Sequence, residues 1–228
     1  MNPLPLGQQK RRKIPTLGIG HQYAFNHNIP RAGGDPIANR VMKLFAPADT
    51  SVGLHWHHFG QPILPPIIET PTPPTTTIHN KIIVYLPFED TQQVIQLLSA
   101  YPHYNFHIYS PELTVSTYSH ITCNPLSRTA FQKDLYDATG IITNAGFELV
   151  SEALQLGQKI LVKPLHSQME QISNATALKE LGFGHVMQDL NAAAVEHWLD
   201  DKHAVHVTYP NVAKTLVEWI QKWYADYG

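Results

Sequence analysis

Residues 140–162 read GIITNAGFELVSEALQLGQKILV, and the fold turns on how this stretch is read. Gly140–Thr143 is a short apolar run, and so is Lys159–Val162. Between them, Phe147–Leu156 has the spacing of a helix, and Gly157 stands where a helix ends in a left-handed residue. A strand, a turn, a helix and a second strand of this kind form one unit of a parallel sheet. Strands that are apolar on both sides must be covered on both faces.

The same alternation extends in both directions. Lys81–Leu86 (KIIVYL) predicts a strand, Thr91–Ala100 a helix, Tyr104–Tyr109 a strand and His120–Cys123 a short strand. Helices follow over Ser127–Ala138, Gln168–Leu181, around Val195–Leu199 and over Asn211–Tyr224. The pattern is that of an α/β, Rossmann-like, doubly wound domain. Such sheets bind ligands at the carboxyl ends of their strands, where helix amino termini point. The loops to inspect are therefore Pro87–Asp90, Asn124–Ser127, Asn144–Glu148 and Pro164–Gln171.

Upstream, Ile14–Gly20 reads as a buried strand, Asp35 as the cap of a helix running to Phe45, and Ser51–Trp56 as another strand. The segment 61–77, QPILPPIIETPTPPTTT, holds six prolines. No helix passes through it, and its polyproline bias suits an extended linker. The expected organisation is a first domain over 1–69, a linker over 70–77, a ligand-binding domain over 78–208 and a C-terminal helix over 209–228.

The 228 residues carry a formal charge of −2, which gives no basic face for nucleic acid. The single cysteine, Cys123, excludes an internal disulfide framework and suits a reducing, cytoplasmic setting. No apolar run reaches the roughly 20 residues of a membrane span. The basic run Lys10–Lys13 follows its short apolar neighbour, the reverse of a secretory signal. At most it supports weak peripheral attraction to anionic lipid.

Gly146 falls at a strand-to-helix junction, where a diphosphate can approach the backbone and meet helix amides. Glu152 follows six residues later on the same helix, within reach of a ribose whose phosphates sit at the helix start. The competing structural reading is a tight turn followed by a solvated carboxylate. Fourteen histidines, above all His55-Trp56-His57-His58, invite a metal. They lack a helical His-x-x-x-His with a glutamate and any cysteine cluster, so no metal is expected. His21, after a strand end, is a candidate acid/base.

The order Gly146, Ser151-Glu152-Ala153, Gly157-Gln158-Lys159, Pro164, Glu170-Gln171, Asn174-Ala175 resembles the donor-binding signature of GT-B glycosyltransferases. It departs in having lysine at 159 where proline is usual. The resemblance implies a GT-B-like chain in which a complete donor domain follows a partial acceptor domain lacking its first strands. It implies a nucleotide-sugar substrate, a UDP-sugar, for transfer to an acceptor hydroxyl, with no separate cofactor. By position it implies that Glu152 holds the ribose, Gly146 and Phe147 offer amides to the diphosphate and Glu148 lies beside them. It also implies that His166 faces the diphosphate, Glu170 and Gln171 contact the sugar, and Asn124 and Leu126 flank the base. The last helix would pack back on the first domain. Self-association or a partner chain would complete that domain. A UDP-sugar 2-epimerase drawing on Glu89, Glu148 and Glu170, and a non-catalytic binding module or gene remnant, are the rival readings.

Overall fold

The computed structural model describes residues 15–31, 47–69 and 76–227. The helix expected from Asp35 to Phe45 and the basic run Lys10–Lys13 lie outside the described residues, as do positions 70–75. The chain divides into two compact units, Met1–Ile68 with Tyr209–Gly228, and Glu69–Thr208.

In the first unit, β1 (Leu17–Gly20), β2 (Thr50–Leu54) and β3 (Ile63–Leu64) form a parallel sheet in that order. The polar stretch after β1 is a 3₁₀ turn, His21–Asn26, rather than a loop, with His21, Tyr23, Ala24 and Phe25 buried. It lies against β2 because Gly53 has no side chain: a Cβ there would come within 2.6 Å of the Ala24 backbone. The proline-rich segment begins inside this unit. Ile63 is buried and β3 pairs with β2, so the extended backbone that proline favours is here used as a strand.

The second unit is a seven-stranded sheet. Its strands are β4 (Lys81–Tyr85), β5 (Asn105–Tyr109), β6 (Ser116–Tyr118), β7 (Ile121–Asn124), β8 (Gly140–Thr143), β9 (Lys159–Val162) and β10 (His185–Val186). The order is β10-β9-β8-β4-β5-β7-β6, parallel throughout except that β6 runs antiparallel to β7. Neither β6 nor β10 was expected, since runs of three and two residues leave no periodicity to read. The helices are α1 (Thr91–Leu98), α2 (Arg128–Asp137), α3 (Phe147–Gln155), α4 (Met169–Glu180) and α5 (Ala192–Asp200). A last helix, α6 (Val212–Tyr227), belongs to the first unit, where Trp223 Nε1 donates to Thr50 Oγ1 at 3.2 Å.

Side-chain alternation along β4 and β5 explains the two covered faces. Ile82, Val84, Phe106 and Ile108 point into a core shared with Val94 and Leu98 of α1 and with Val195 and Trp198 of α5. The alternate residues Lys81, His107 and Tyr109 point to the opposite face and meet α2. There Lys81 Nζ donates to Asp134 at 2.8 Å and also to Asp137, one helical turn on. Asp134 Oδ2 in turn accepts from Tyr109 Oη at 2.7 Å and lies 2.7 Å from His107 Nδ1. Gln158 Nε2 donates to the carbonyls of Leu135 and Ala138, closing the far end of the helix. Leu135 is the one fully buried residue of α2, so polar bonds rather than an apolar ridge fix this helix to the sheet.

Burial alone would raise the Asp134 carboxyl, but the bonds from Lys81, Tyr109 and His107 outweigh it and hold it below the usual carboxylate range. Because the folded value is the lower one, this stabilisation is complete above the unfolded value of about 4 and is lost as pH falls through the folded value. Asp134→Asn should cost about 3–5 kcal/mol at neutral pH, the usual effect of breaking a buried pair. It should also flatten the acid limb of a urea-unfolding series between pH 6 and 3.

Candidate functional site

The strand order places the topological switch between β4 and β8. The chain winds outward from β4 through β5 and β7 on one side, and through β8, β9 and β10 on the other. At the carboxyl end of this switch lies a cleft of about 420 Å³, large enough for a nucleotide. Its walls are the first turns of two helices. Ser127, Arg128, Phe131 and Gln132 come from the start of α2, and Glu148, Leu149 and Glu152 from α3. Tyr85 at the end of β4 and Leu126 complete the lining. Phe131 makes edge-on contacts with Tyr85 at 5.6 Å and Tyr109 at 5.0 Å between ring centroids. The network around Asp134 thus also sets the aromatic side of the cleft.

The two helix starts differ. Ser127 caps α2 through a bond from Ala130 N, and Asp90 caps α1 through bonds from Gln92 N and Gln93 N. No side chain caps α3. Its cap residue, Gly146, has φ −72°, which any residue adopts, and a Cβ built there meets nothing within 4 Å. Neither backbone conformation nor packing calls for glycine. What its lack of a side chain does is keep the approach to the first amides of α3 open. The loop is held from behind: Asn144 Nδ2 donates to Lys163 O at 2.8 Å, and Asn174 Nδ2 to Ala145 O at 3.0 Å. Two buried side-chain atoms at this edge, Asn144 Oδ1 and Asn124 Nδ2, have no hydrogen-bond partner among the described residues.

Glu152 is half-buried, one turn beyond Glu148 on the same face of α3. Burial raises its carboxyl above the ordinary value, the Glu148 and Glu69 charges raise it further, and Arg128 opposes them. Ser151 does not face the cleft. Its hydroxyl donates to Phe147 O at 2.6 Å, and its small size lets α3 pack closely.

Of the residues singled out from sequence, Leu126, Glu148 and Glu152 line the cleft, and Gly146 caps its helix. The Phe147 ring is buried. Asn124 ends β7 at the same edge. Others are not brought to the cleft. Exposed His166 sits 3.2 Å from Asp189, itself exposed, and Glu170 is exposed on α4. The Gln171 amide is engaged at both ends, accepting from Leu165 N at 3.1 Å and donating to Gln168 Oε1 at 2.8 Å. It holds the loop after β9, which is a structural task. The carboxylates an epimerase would draw on do not converge, since Glu89 is paired with Lys163 and only Glu148 lines the cleft. Tyr85, Arg128 and Phe131 were missed, although the loop Asn124–Ser127 marked the start of the helix that carries two of them.

In the first unit His21 is buried at the end of β1, and its Nδ1 lies 2.9 Å from Leu54 O. Since a carbonyl only accepts, that nitrogen carries a proton. The other histidines of this unit differ. In His55, His57 and His58, Nδ1 accepts a backbone N–H from Trp56, Phe59 and Gly60 respectively. In each of these rings the Nδ1 lone pair is thus already engaged by backbone. Burial and the neighbouring His21 and His57 push His55 down to about 3.

Residues 59–202 match the family model described as glycosyl transferase family 1. No curated protein matches the chain in sequence. Among solved structures, the spinosyn rhamnosyltransferase SpnG aligns over 85% of this chain and 61% of its own, with 14% identity and a TM-score of 0.56. MurG of Acinetobacter baumannii aligns over 94% and 68%, at 17% identity and 0.54. The glycosyltransferase SsfS6 of Streptomyces sp. SF2575, complexed with thymidine diphosphate, aligns over 86% and 64%, at 14% and 0.51. At these identities the likeness is one of fold, and the fold is α/β of the GT-B type. The chain spans about half to two thirds of the length of the structures it matches. Among the described residues no helix is long and apolar enough to cross a membrane.

Because Glu152 is held above its ordinary value, its ionised form weakens the fold at neutral pH. Glu152→Gln should leave the urea midpoint at pH 7 equal to wild type or higher. The advantage should vanish below about pH 4, where the carboxyl is protonated in the unfolded chain as well.

Proposed function

Because the chain belongs to glycosyl transferase family 1, we propose that the cleft between α2 and α3 binds the nucleoside diphosphate of an activated sugar, a UDP-sugar destined for an acceptor hydroxyl. The observation that carries this is Gly146. A glycine that neither conformation nor packing requires stands at the one helix start of the cleft that no side chain caps. An anion placed there meets amide donors and the positive end of the helix dipole.

The remaining parts follow from the order of residues along α3. With the diphosphate at the helix start, a pentose extends toward Glu152, whose carboxylate accepts from vicinal hydroxyls. The base lies toward Leu126, Tyr85 and Phe131. Ribose offers two hydroxyls to Glu152 and deoxyribose one, which favours UDP over its thymidine counterpart. In transfer, the acceptor oxygen attacks the anomeric carbon, the carbon–oxygen bond to the diphosphate breaks, and the α3 amides stabilise the departing charge. On the acceptor side His21 is the candidate base. Its Nδ1 lies 2.9 Å from Leu54 O, which holds the ring in one orientation. A cytoplasmic protein is the corresponding reading, since that compartment supplies activated sugars.

Isothermal titration tests this. UDP should bind the wild-type chain, and thymidine diphosphate about tenfold or more weakly, the effect of losing a hydrogen bond to a charged group. Gly146→Val should stay folded and cost about 1 kcal/mol of unfolding stability, as a poor N-cap residue does. Its UDP affinity should nevertheless fall at least about tenfold, roughly 1.4 kcal/mol. Wild-type affinity in this variant would remove the basis of the assignment.

A further inference from the structure

The carboxyl edge of the sheet holds a second charged group that the motif does not include. Lys163 directly follows β9, and its Nζ lies 2.8 Å from Glu89 Oε1 in the loop after β4. In the sheet order β8 lies between those two strands. The ion pair therefore spans the carboxyl end of β8, where the Asn144–Gly146 loop leaves for α3. Both side chains are largely buried, with relative exposures of 8% and 14%.

We propose that Lys163 is an anion-binding residue of this edge, with Glu89 standing in for the phosphate oxygens that Lys163 would otherwise take. The proposal rests on the reading of the α2–α3 cleft as a diphosphate site and adds a residue to it.

Three observations support it. The first is charge. Glu148 and Glu152 line the cleft and Glu69 acts on it, with Arg128 in opposition. A diphosphate brought into that field needs a further cation, and Lys163 lies at the same edge. The second is the fixing of the Lys163 backbone. Its N–H donates to Thr143 O at 2.8 Å, its carbonyl accepts from Asn144 Nδ2 at 2.8 Å, and the following Pro164 restricts it to extended conformations. The residue's backbone is thus tied to the Asn144–Gly146 loop, and only its side chain reaches across to Glu89. The third is the pair itself. Ile160, Leu161 and Val162 precede Lys163 as buried apolar residues. A buried ion pair gives little net stability over an apolar residue of similar size, so packing alone does not explain a lysine at this position. An ammonium is a compact charge that suits phosphate oxygens. When it exchanges one anion for another, Glu89 turns outward with the loop that also carries the exposed Phe88.

Titrations with inorganic pyrophosphate, UDP and uridine on the full chain test the exchange. Lys163→Met should weaken pyrophosphate and UDP binding tenfold or more and leave uridine binding unchanged. Glu89→Gln should strengthen pyrophosphate binding about threefold or more, and Lys163→Arg should retain most of the affinity. Should Lys163→Met fold poorly because Glu89 is left buried and unpaired, the double variant Lys163→Met with Glu89→Gln removes both charges and should show the same phosphate-specific loss. Pyrophosphate binding at wild-type strength in the double variant overturns the proposal, as does a loss shared equally by uridine. If wild-type protein binds UDP while these variants behave that way, only the role of Lys163 falls. If wild-type protein binds neither UDP nor pyrophosphate, the cleft assignment falls with it.

Discussion

The contact on which the cleft depends is buried well below it. The Lys81 ammonium sits between the sheet and α2 and binds Asp134 and Asp137 on one face of that helix. An apolar ridge would let α2 slide or roll with small loss. Directional charge-assisted bonds fix both its rotation and its register. Tyr109 completes the link. Its hydroxyl is held by Asp134 and its ring packs against Phe131, so the side of the cleft facing α3 is positioned from the floor of the domain. Lys81 occupies a position that alternation along β4 sends to the α2 face, and hydrophobic burial alone would have placed an aliphatic residue there.

The opposite wall is built on a different principle. No side chain caps α3, Gly146 opens the approach to it, and Glu152 is held above its ordinary value by burial and by the Glu148 and Glu69 charges. One wall is therefore capped and tied to the sheet, while the other begins at a helix start without a side-chain cap and carries a carboxyl that burial raises. A site that binds by exchange needs such a difference, since groups already content with internal partners gain little from a ligand. Gln171 shows the contrast. Its amide has the chemistry to bind a sugar, but both ends are engaged in holding the loop after β9.

The fold was legible because its strands are apolar on both sides and are separated by helices of the right length, a pattern that follows from covering a sheet twice. The parts that were not legible share a physical cause, which is that they depend on contacts distant in sequence. The His21–Asn26 turn reads as polar loop because its burial depends on the notch at Gly53, more than twenty residues away. Arg128, Tyr85 and Phe131 come to Glu152 only through the strand order, which places β4 beside β8. Gly146, Glu148 and Glu152 could be named beforehand because one local turn and one helix hold all three. Lys163 falls between the expected strand Lys159–Val162 and the loop Pro164–Gln171, and no motif includes it. Its partner Glu89 is separated from it by most of the domain, so no local pattern announces the pair.

The central claim, that a nucleoside diphosphate rests against the start of α3, is most directly tested by amide chemical-shift mapping of the isotope-labelled chain during titration with UDP. The account predicts that the largest shifts fall on Gly146–Leu149 and on the first turn of α2, with smaller ones on strand ends at the same edge. Shifts confined to the amino ends of the strands, around Asn80, Gly140 and Lys159, would contradict it, as would an unchanged spectrum at millimolar UDP.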